Sequence, residues 1–320
     1  METIAACEFK SLSIEDKGLF DFYYSKMNDN WVSTISFASM IAWNKSIRIY
    51  HRIIGEYLCI LANDTTCDQW YTIPLIGHYD QKQLEKSIRE LIDIMEELGR
   101  PVQFVSISEW MLPYYLHLRC MKLKEVYDIS LSDYIYDVKD FMKSMNNQSN
   151  RYDYNYFIRR FNPKLVLMRS MNSDYYIDLI QKCFCMNHEC RICVYGCQQD
   201  TIRNVTERMS ETGAMGIAVY IEEELVGYAI VSIEKTQLIY HFKENLHGYR
   251  GLGIYLNKKC FELFGENVEL INYTEDIGIE GLRKYKKQLS KYRLSHKYEL
   301  LRILSNKRCI GIMGGTDDKK

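Results

Sequence analysis

The chain has 320 residues and a mass of 38.0 kDa, room for about two domains of ordinary size. Its 17 glycines and 4 prolines, with 47% hydrophobic and 26% charged residues, exclude collagen-like, low-complexity and linker-dominated chains and allow a sizeable core. Lys and Arg number 41 against 42 Asp and Glu, a net charge of −1; any polyanion site must therefore be a local patch, since no global field recruits nucleic acid or an anionic membrane.

In chain order, the acidic amphipathic stretch 14–27 predicts an opening helix. The uncharged run 31–44 contains Ser, Thr and Asn and falls short of the about 20 apolar residues that a spanning helix needs. Segments 46–54, 57–62 and 70–75 read as strands joined by short turns. Over 83–98, Leu84, Ile88, Leu91, Ile92, Met95 and Leu98 recur at three and four, the clearest helix in the chain, and Gly99 and Pro101 stop it. A strand is expected over 102–107. The four tryptophans, Trp31, Trp43, Trp70 and Trp110, all lie in this half and read as core.

The second half begins with a strand over 164–171 and a helix capped by Asp174 that runs to about 185. A cysteine-rich loop and a polar helix over 201–212 follow. Strands 215–221 and 225–233 flank the turn Glu222-Glu223-Glu224, and a third strand covers 237–242. After the loop 243–253 come a helix (254–264), a strand (268–272), a helix (281–292) and a closing strand (297–304). This β-α-α-β-β-β-α-β-α-β order is that of a GNAT-type N-acyltransferase domain, and the first half has a degenerate form of similar order. The expectation is an α/β fold with mixed sheets, two GNAT-like domains in tandem over 1–135 and 136–305, and a tail over 306–320. The N-terminus lacks a basic n-region, so the eleven cysteines read as thiols of a reducing compartment and the protein is expected to be cytoplasmic.

Two segments carry a family likeness. The first is Asn272-Tyr-Thr-Glu275-Asp276-Ile-Gly278-Ile-Glu280-Gly281-Leu282-Arg283-Lys284-Tyr285-Lys286, close to N-x-E-x-D-x-G-x-x-G-L-R-x-x-K. The second is Asp133-Tyr134-Ile135-Tyr136 followed by Arg151-Tyr-Asp-Tyr-Asn155-Tyr-Phe157. On these the chain resembles the bacterial phosphatidylglycerol lysyltransferase C-terminal domain family, which has two GNAT-like domains and is similar to the Fem-type aminoacyl transferases. The resemblance implies a transferase that moves an acyl or aminoacyl group from acyl-CoA or aminoacyl-tRNA to an amine or hydroxyl. Its acceptor would be a small molecule or a lipid head group, with tRNA as a partner. Arg151, Asn155, Asn272, Arg283 and Lys286 would be its substrate-binding residues. Two departures stand out: Tyr292-Arg293 replaces the family's proline after the last helix, and its Glu-Lys pair after the fourth strand stands here as Lys243-Glu244.

The segment His247-Gly-Tyr249-Arg250-Gly251-Leu-Gly253-Ile-Tyr255 lies between a strand and a helix. A helix start presents free amides and binds anions. GNAT domains hold the acyl-CoA pyrophosphate with an R/Q-x-x-G-x-G/A loop here, which makes Tyr249, Arg250, Gly251 and Gly253 the cofactor-binding candidates. Tyr255 takes a small-residue position and would crowd a diphosphate; with a tRNA donor, Arg250 would meet a phosphate of the acceptor end. The bland alternative is a glycine turn before a helix.

Acyl transfer to an amine needs a base for the ammonium proton and an acid for the leaving group. Glu244, Glu275 and Asp276 are the candidate bases or cation anchors, and Tyr285 the candidate acid. Asp276 reads equally as a helix cap, and Tyr285 with Leu282 and Leu289 as a core stripe. Seven cations occupy 283–297 without an acid among them, and Arg151, Arg159, Arg160 and Lys164 form a second basic stretch. Each reads as a solvated face or as a phosphate-binding one, the latter salt-sensitive.

Five of the eleven cysteines, Cys183, Cys185, Cys190, Cys193 and Cys197, fall within fifteen residues around His188. Cys183, Cys185, Cys190 and Cys193 are the candidate ligands for zinc or an iron–sulfur cluster, though no second C-x-x-C follows. They support the rival reading, a non-catalytic metal- or redox-responsive binding module on a GNAT scaffold. His51, His78, His117, His241 and His296 stand alone and read as satisfied imidazoles.

Overall fold

A computed structural model describes residues 9–27, 32–65, 67–118, 123–168, 174–180 and 198–302. The first half contains β1 (Lys10–Ser11), α1 (Lys17–Tyr24), α2 (Phe37–Trp43), β2 (Ile47–Ile54), β3 (Tyr57–Asp64), β4 (Gln69–Ile76), α3 (Gln81–Glu97), β5 (Gln103–Ser108), α4 (Leu112–Leu116) and β6 (Leu123–Tyr127). Helix α3 starts where the Asp80 carboxylate accepts from the Lys82 and Gln83 amides, both at 3.0 Å, and it buries the leucine–isoleucine stripe read from the sequence. The whole of β3 is buried, as befits a central strand covered on both faces.

The second half contains β7 (Asp133–Asp137), α5 (Val138–Met145), α6 (Gln148–Phe161), β8 (Lys164–Met168), α7 (Asp174–Ile180), α8 (Gln198–Glu207), α9 (Met209–Thr212), β9 (Ala214–Ile221), β10 (Glu224–Glu234), β11 (Gln237–Asn245), α10 (Leu252–Phe264), β12 (Leu270–Asn272), α11 (Glu280–Leu289), β13 (Arg293–Ser295) and β14 (Lys297–Arg302). Asn147 caps α6 through the Asn150 amide, and Asn162 in the left-handed region (φ 45°) ends it.

The strands form two sheets, ordered β1-β2-β3-β4-β5-β14-β6 and β13-β7-β12-β11-β10-β9-β8. Each repeats one plan. Three antiparallel strands (β2–β4, then β9–β11) are followed by a helix (α3, then α10) and a strand parallel to the third (β5, then β12). A parallel neighbour requires such a crossover, which is why a helix intervenes at this point both times. One apolar cluster fills each half, and a third joins Ala38 and Ala42 of α2 to Ile202 and Val205 of α8 and Tyr228 of β10.

Four features differ from the sequence expectation. The opening helix is a 3-10 turn (Ile14–Asp16) leading into the shorter α1, and α2 occupies part of the uncharged run. Strand β11 runs past residue 242 to Asn245, since its pairing with β10 continues through Glu244↔Tyr228 and Asn245↔Gly227. β7, which composition did not single out, sits in the second sheet between β12 and β13. The closing strand β14 leaves its own half and lies between β5 and β6 of the first sheet. No helix among the described residues is long and apolar enough to cross a membrane.

Candidate active site

β11 and β12 pair only over Gln237–Ile239 and Leu270–Asn272. Beyond this register β11 continues to Asn245 paired with β10 but not with β12, while the chain after β12 turns towards α11, and the sheet splays open. A cavity of about 690 Å³ begins at the splay and reaches under α2 to the first sheet. Its polar wall includes His241, Lys243, Glu244, Glu275, Tyr285, Lys286 and Lys297; Met40, Trp43, Ile47, Ile49, Ile73 and Val105 line the apolar part.

The turn after β12 sets the geometry of the two acids at 275 and 276. Asn272, fully buried, accepts from the Thr274 amide through Oδ1 at 2.7 Å and donates through Nδ2 to Asp133 at 2.9 Å and Gln237 at 3.2 Å. Thr274 (φ 55°) and Ile277 (φ 44°) are β-branched residues held in the left-handed region, a strain that the surrounding bonds must sustain. The turn sends neighbouring carboxylates in different directions. Asp276 is buried and saturated: Arg283 donates to both its oxygens at 2.9 Å, Tyr134 at 2.7 Å and the Gly278 amide at 2.9 Å. Its carboxyl stays below the usual range because these donors outweigh the cost of burial. Arg283 is thereby committed to Asp276, and neither is among the residues lining the cavity.

Glu275 faces the cavity. Its Oε2 accepts from Lys297 Nζ at 3.0 Å, and Lys297 also pairs with Asp133 Oδ1 at 2.6 Å. Burial disfavours the Glu275 charge, but the Lys297 ammonium, helped by Lys286, outweighs it and holds the carboxyl down to about 2. Ser33 completes the group, donating to Asp133 from its amide at 2.7 Å and from Oγ at 2.9 Å. Ser33 carried no sequence signal; Asp133 stood out only within the family-like segment and Lys297 only as the last cation of the basic run, since their meeting depends on distant segments.

Across the splay, burial pushes the Glu244 carboxyl up to about 7, only partly opposed by Lys243. Among the described residues no hydrogen bond restrains that carboxylate. Lys243 Nζ donates to the Tyr285 hydroxyl, and Tyr285 is a half-exposed cavity residue, not a core one. Lys286 is nearly buried and donates to the Tyr273 and Glu275 carbonyls at 2.6 Å each, while burial lowers its ammonium to about 8. His241 lines the same wall, its Nε2 2.8 Å from Ser232 Oγ, and burial holds its imidazole down to about 4, hence neutral at physiological pH.

The Tyr249–Gly253 turn sits beside the splay and packs against α6. Gly251 (φ 92°) starts α10, and a Cβ there would lie 2.1 Å from the Asp153 carbonyl oxygen, so only glycine fits. Arg250 pairs with Asp153 at 2.8 Å and its guanidinium lies over the Tyr152 and Tyr156 rings. Tyr249 donates to Glu224 at 3.1 Å. Tyr255 turns away from the helix mouth and stacks on Tyr154 and Phe157. Gly253 alone of the four candidates abuts the polar wall: a Cβ on it would lie 3.8 Å from Lys243 Nζ. From the preceding loop, Asn245 and His247 line the cavity. Arg151 and Asn155 are exposed on α6, outside the cavity. The candidate metal ligands Cys183, Cys185, Cys190 and Cys193, with Cys197 and His188, lie outside the described residues; among the described residues no cluster of His, Cys, Asp and Glu suits a metal ion.

Two sheets of one plan, each with a parallel strand following its crossover helix, define a tandem GNAT-like fold. Residues 27–298 match the model of the family "Phosphatidylglycerol lysyltransferase, C-terminal", and the chain belongs to that family. Solved structures share the fold. A conserved protein of unknown function from Bacteroides thetaiotaomicron VPI-5482 has a TM-score of 0.82 at 18% identity, covering 92% of this chain and 99% of its own. L-PGS from Bacillus licheniformis has a TM-score of 0.63 at 13% identity, with 91% and 93% covered. A tandem GNAT protein from the clavulanic acid biosynthesis pathway has a TM-score of 0.52 at 11% identity, with 93% and 99% covered. No curated protein matches the chain in sequence.

Proposed function

We propose that the chain is an aminoacyltransferase that moves an aminoacyl group from tRNA to an amine or hydroxyl acceptor held at the β11–β12 splay. The observation that carries this reading is a pair of glutamates on one cavity in contrasting surroundings: Lys297 bonds Glu275 and holds it down to about 2, whereas burial pushes Glu244 up to about 7. Environments that push two carboxyls apart in this way assign an acid–base group and a fixed charge. Glu244 takes the proton from the acceptor, whose lone pair attacks the ester carbonyl carbon. The Lys286 ammonium, aimed by two backbone carbonyls, stabilises the tetrahedral oxyanion. As the intermediate collapses, the carbon–oxygen bond to the tRNA ribose breaks and the Tyr285 hydroxyl supplies the proton to the departing oxygen. Glu275 stays charged and anchors the ammonium group of the substrate. Positioning, with no covalent enzyme intermediate, provides the remainder of the rate.

The carrier would run from the cavity past Lys243 and the first turn of α10 onto the outer face of α6. That face carries Arg151, Arg159 and Arg160 with Tyr152 and Tyr156, a combination of cations and stacking rings suited to a nucleic-acid end. An acyl-CoA donor is the second reading, favoured by the place of Gly253 in the first turn of α10, against the polar wall of the cavity. The test supplies the protein with tRNA charged with labelled amino acids, or with acetyl-CoA, against a panel of amine, hydroxyl and lipid acceptors. The proposal expects transfer from at least one aminoacyl-tRNA and a loss of about 10²-fold or more in Glu244→Gln. Transfer from acetyl-CoA alone selects the second reading, and a Glu244→Gln variant as active as wild type overturns the assignment of the base.

A further inference from the structure

We infer that Lys297 is a positioning residue: from the first position of β14 its ammonium holds Glu275 on the cavity wall to receive a substrate's ammonium group. This rests on the transferase reading above and adds a residue to it. Asp133 opens β7 of the second sheet, and Lys297 opens β14, the strand that the second half lends to the first sheet. Their contact at 2.6 Å is sealed from solvent, with side-chain exposures of 0% and 5%, and ties the lent strand to the second sheet.

The two carboxylates differ in how they depend on the ammonium. Asp133 also accepts from the Ser33 amide, Ser33 Oγ and Asn272 Nδ2, and keeps its direction without help. Glu275 has its strong side-chain bond from Lys297 at 3.0 Å, and Ser33 Oγ lies further off at 3.4 Å. The other charged or titratable groups facing Glu275 do not replace it. Lys286 on α11 directs hydrogen bonds to the Tyr273 and Glu275 backbone carbonyls, His241 on β11 is held neutral by burial, and Asp133 on β7 has the same sign. Two carboxylates therefore share one ammonium, Asp133 sealed from solvent and Glu275 at the cavity wall. With the ammonium removed, their mutual repulsion is relieved by uptake of a proton into the pair, and Glu275 loses the bond that fixes its direction.

The test follows the Asp and Glu side-chain carboxyls by ¹³C NMR titration in the full chain and in Lys297→Met. In wild type the Lys297 ammonium opposes the burial that raises Asp133, and it holds Glu275 down. In Lys297→Met the Asp133–Glu275 pair takes up its first proton at a pH at least about one unit higher than in wild type; a folded variant whose pair titrates as in wild type overturns the inference. Kinetics supply a second readout. Lys297→Met, and Glu275→Gln in which the Lys297–Asp133 contact remains, each raise KM for the ammonium-bearing substrate about tenfold or more with a smaller change in kcat. Lys297→Arg recovers most of that loss. An unchanged KM in Glu275→Gln sinks the inference even where Lys297→Met does not fold. If wild type transfers nothing, the transferase reading fails, and the titration still decides whether Lys297 governs the pair.

Discussion

At the scale of single residues, burial and pairing decide what each ionisable group in the cavity can do. Among the described residues Glu244 has burial and no hydrogen bond, so its carboxyl rises to about 7, and Lys286 has burial and hydrogen bonds to backbone carbonyls, so its ammonium falls to about 8. A base must be deprotonated and an oxyanion donor protonated, so kcat/KM should rise with pH through the first value and fall through the second. The expected profile is a narrow bell. Glu244→Gln should remove the acid limb with a rate loss of about 10²–10⁴-fold, and Lys286→Met the alkaline limb. A Glu244→Gln variant that keeps the acid limb would assign it to another group. Gly251 poses a different residue-scale question, whether its missing side chain serves a ligand or the packing. The Asp153 carbonyl oxygen, 2.1 Å from a virtual Cβ, favours packing. Gly251→Ala should therefore cost about 2–4 kcal/mol in chemical denaturation. Gly248→Ala, with the same left-handed backbone and open space around it, should cost only about 1–2 kcal/mol.

At the scale of elements, α6 links the turn at Gly251 to the solvent. Its inner side packs Tyr154 and Phe157 on Tyr255 of α10, while its outer side presents Tyr152, stacked with Tyr156, and exposed arginines. If this face meets tRNA, Arg151→Ala/Arg159→Ala should weaken binding of uncharged tRNA. It should also reduce the slope of log K against log salt by about 1–2, read by fluorescence anisotropy. Equal slopes for the double variant and wild type would remove α6 from the binding surface. Elements such as α3 and β9–β11 were legible in the sequence because their signal is local: a helical stripe in α3, and short apolar runs bounded by turns in the strands. The end of β11 was not: Lys243, Glu244 and Asn245 are polar, and only their continued pairing with β10 keeps them in the strand. That extension carries Lys243 and Glu244 onto the cavity wall. Asp276 shows the reverse limit, since its motif marked it as a candidate base while its three donors, visible only in the fold, leave it saturated.

At the scale of the molecule, the two halves follow one plan but are not closed units. β14 supplies the shared neighbour of β5 and β6 in the first sheet, and β7 joins β12 to β13 in the second. No local pattern could announce this, because a strand's composition does not say which sheet receives it. The exchange also explains why the cavity lies where it does: Lys297 brings β14 against the splay of the opposite sheet, and Ser33 approaches it from between α1 and α2. Such interlocking predicts one cooperative unfolding transition for the described fold, despite its two sheets. A chain ending at His296 would test this. It leaves β5 and β6 without their common partner and Asp133 as a buried charge with no ammonium, a defect that by itself costs about 3–5 kcal/mol. The shortened chain should therefore lose near-UV circular dichroism and its sharp melting transition together. If it instead retains one of two separable transitions, the second half folds on its own, and the lent strand β14 is an ornament on independent units and not the tie between them.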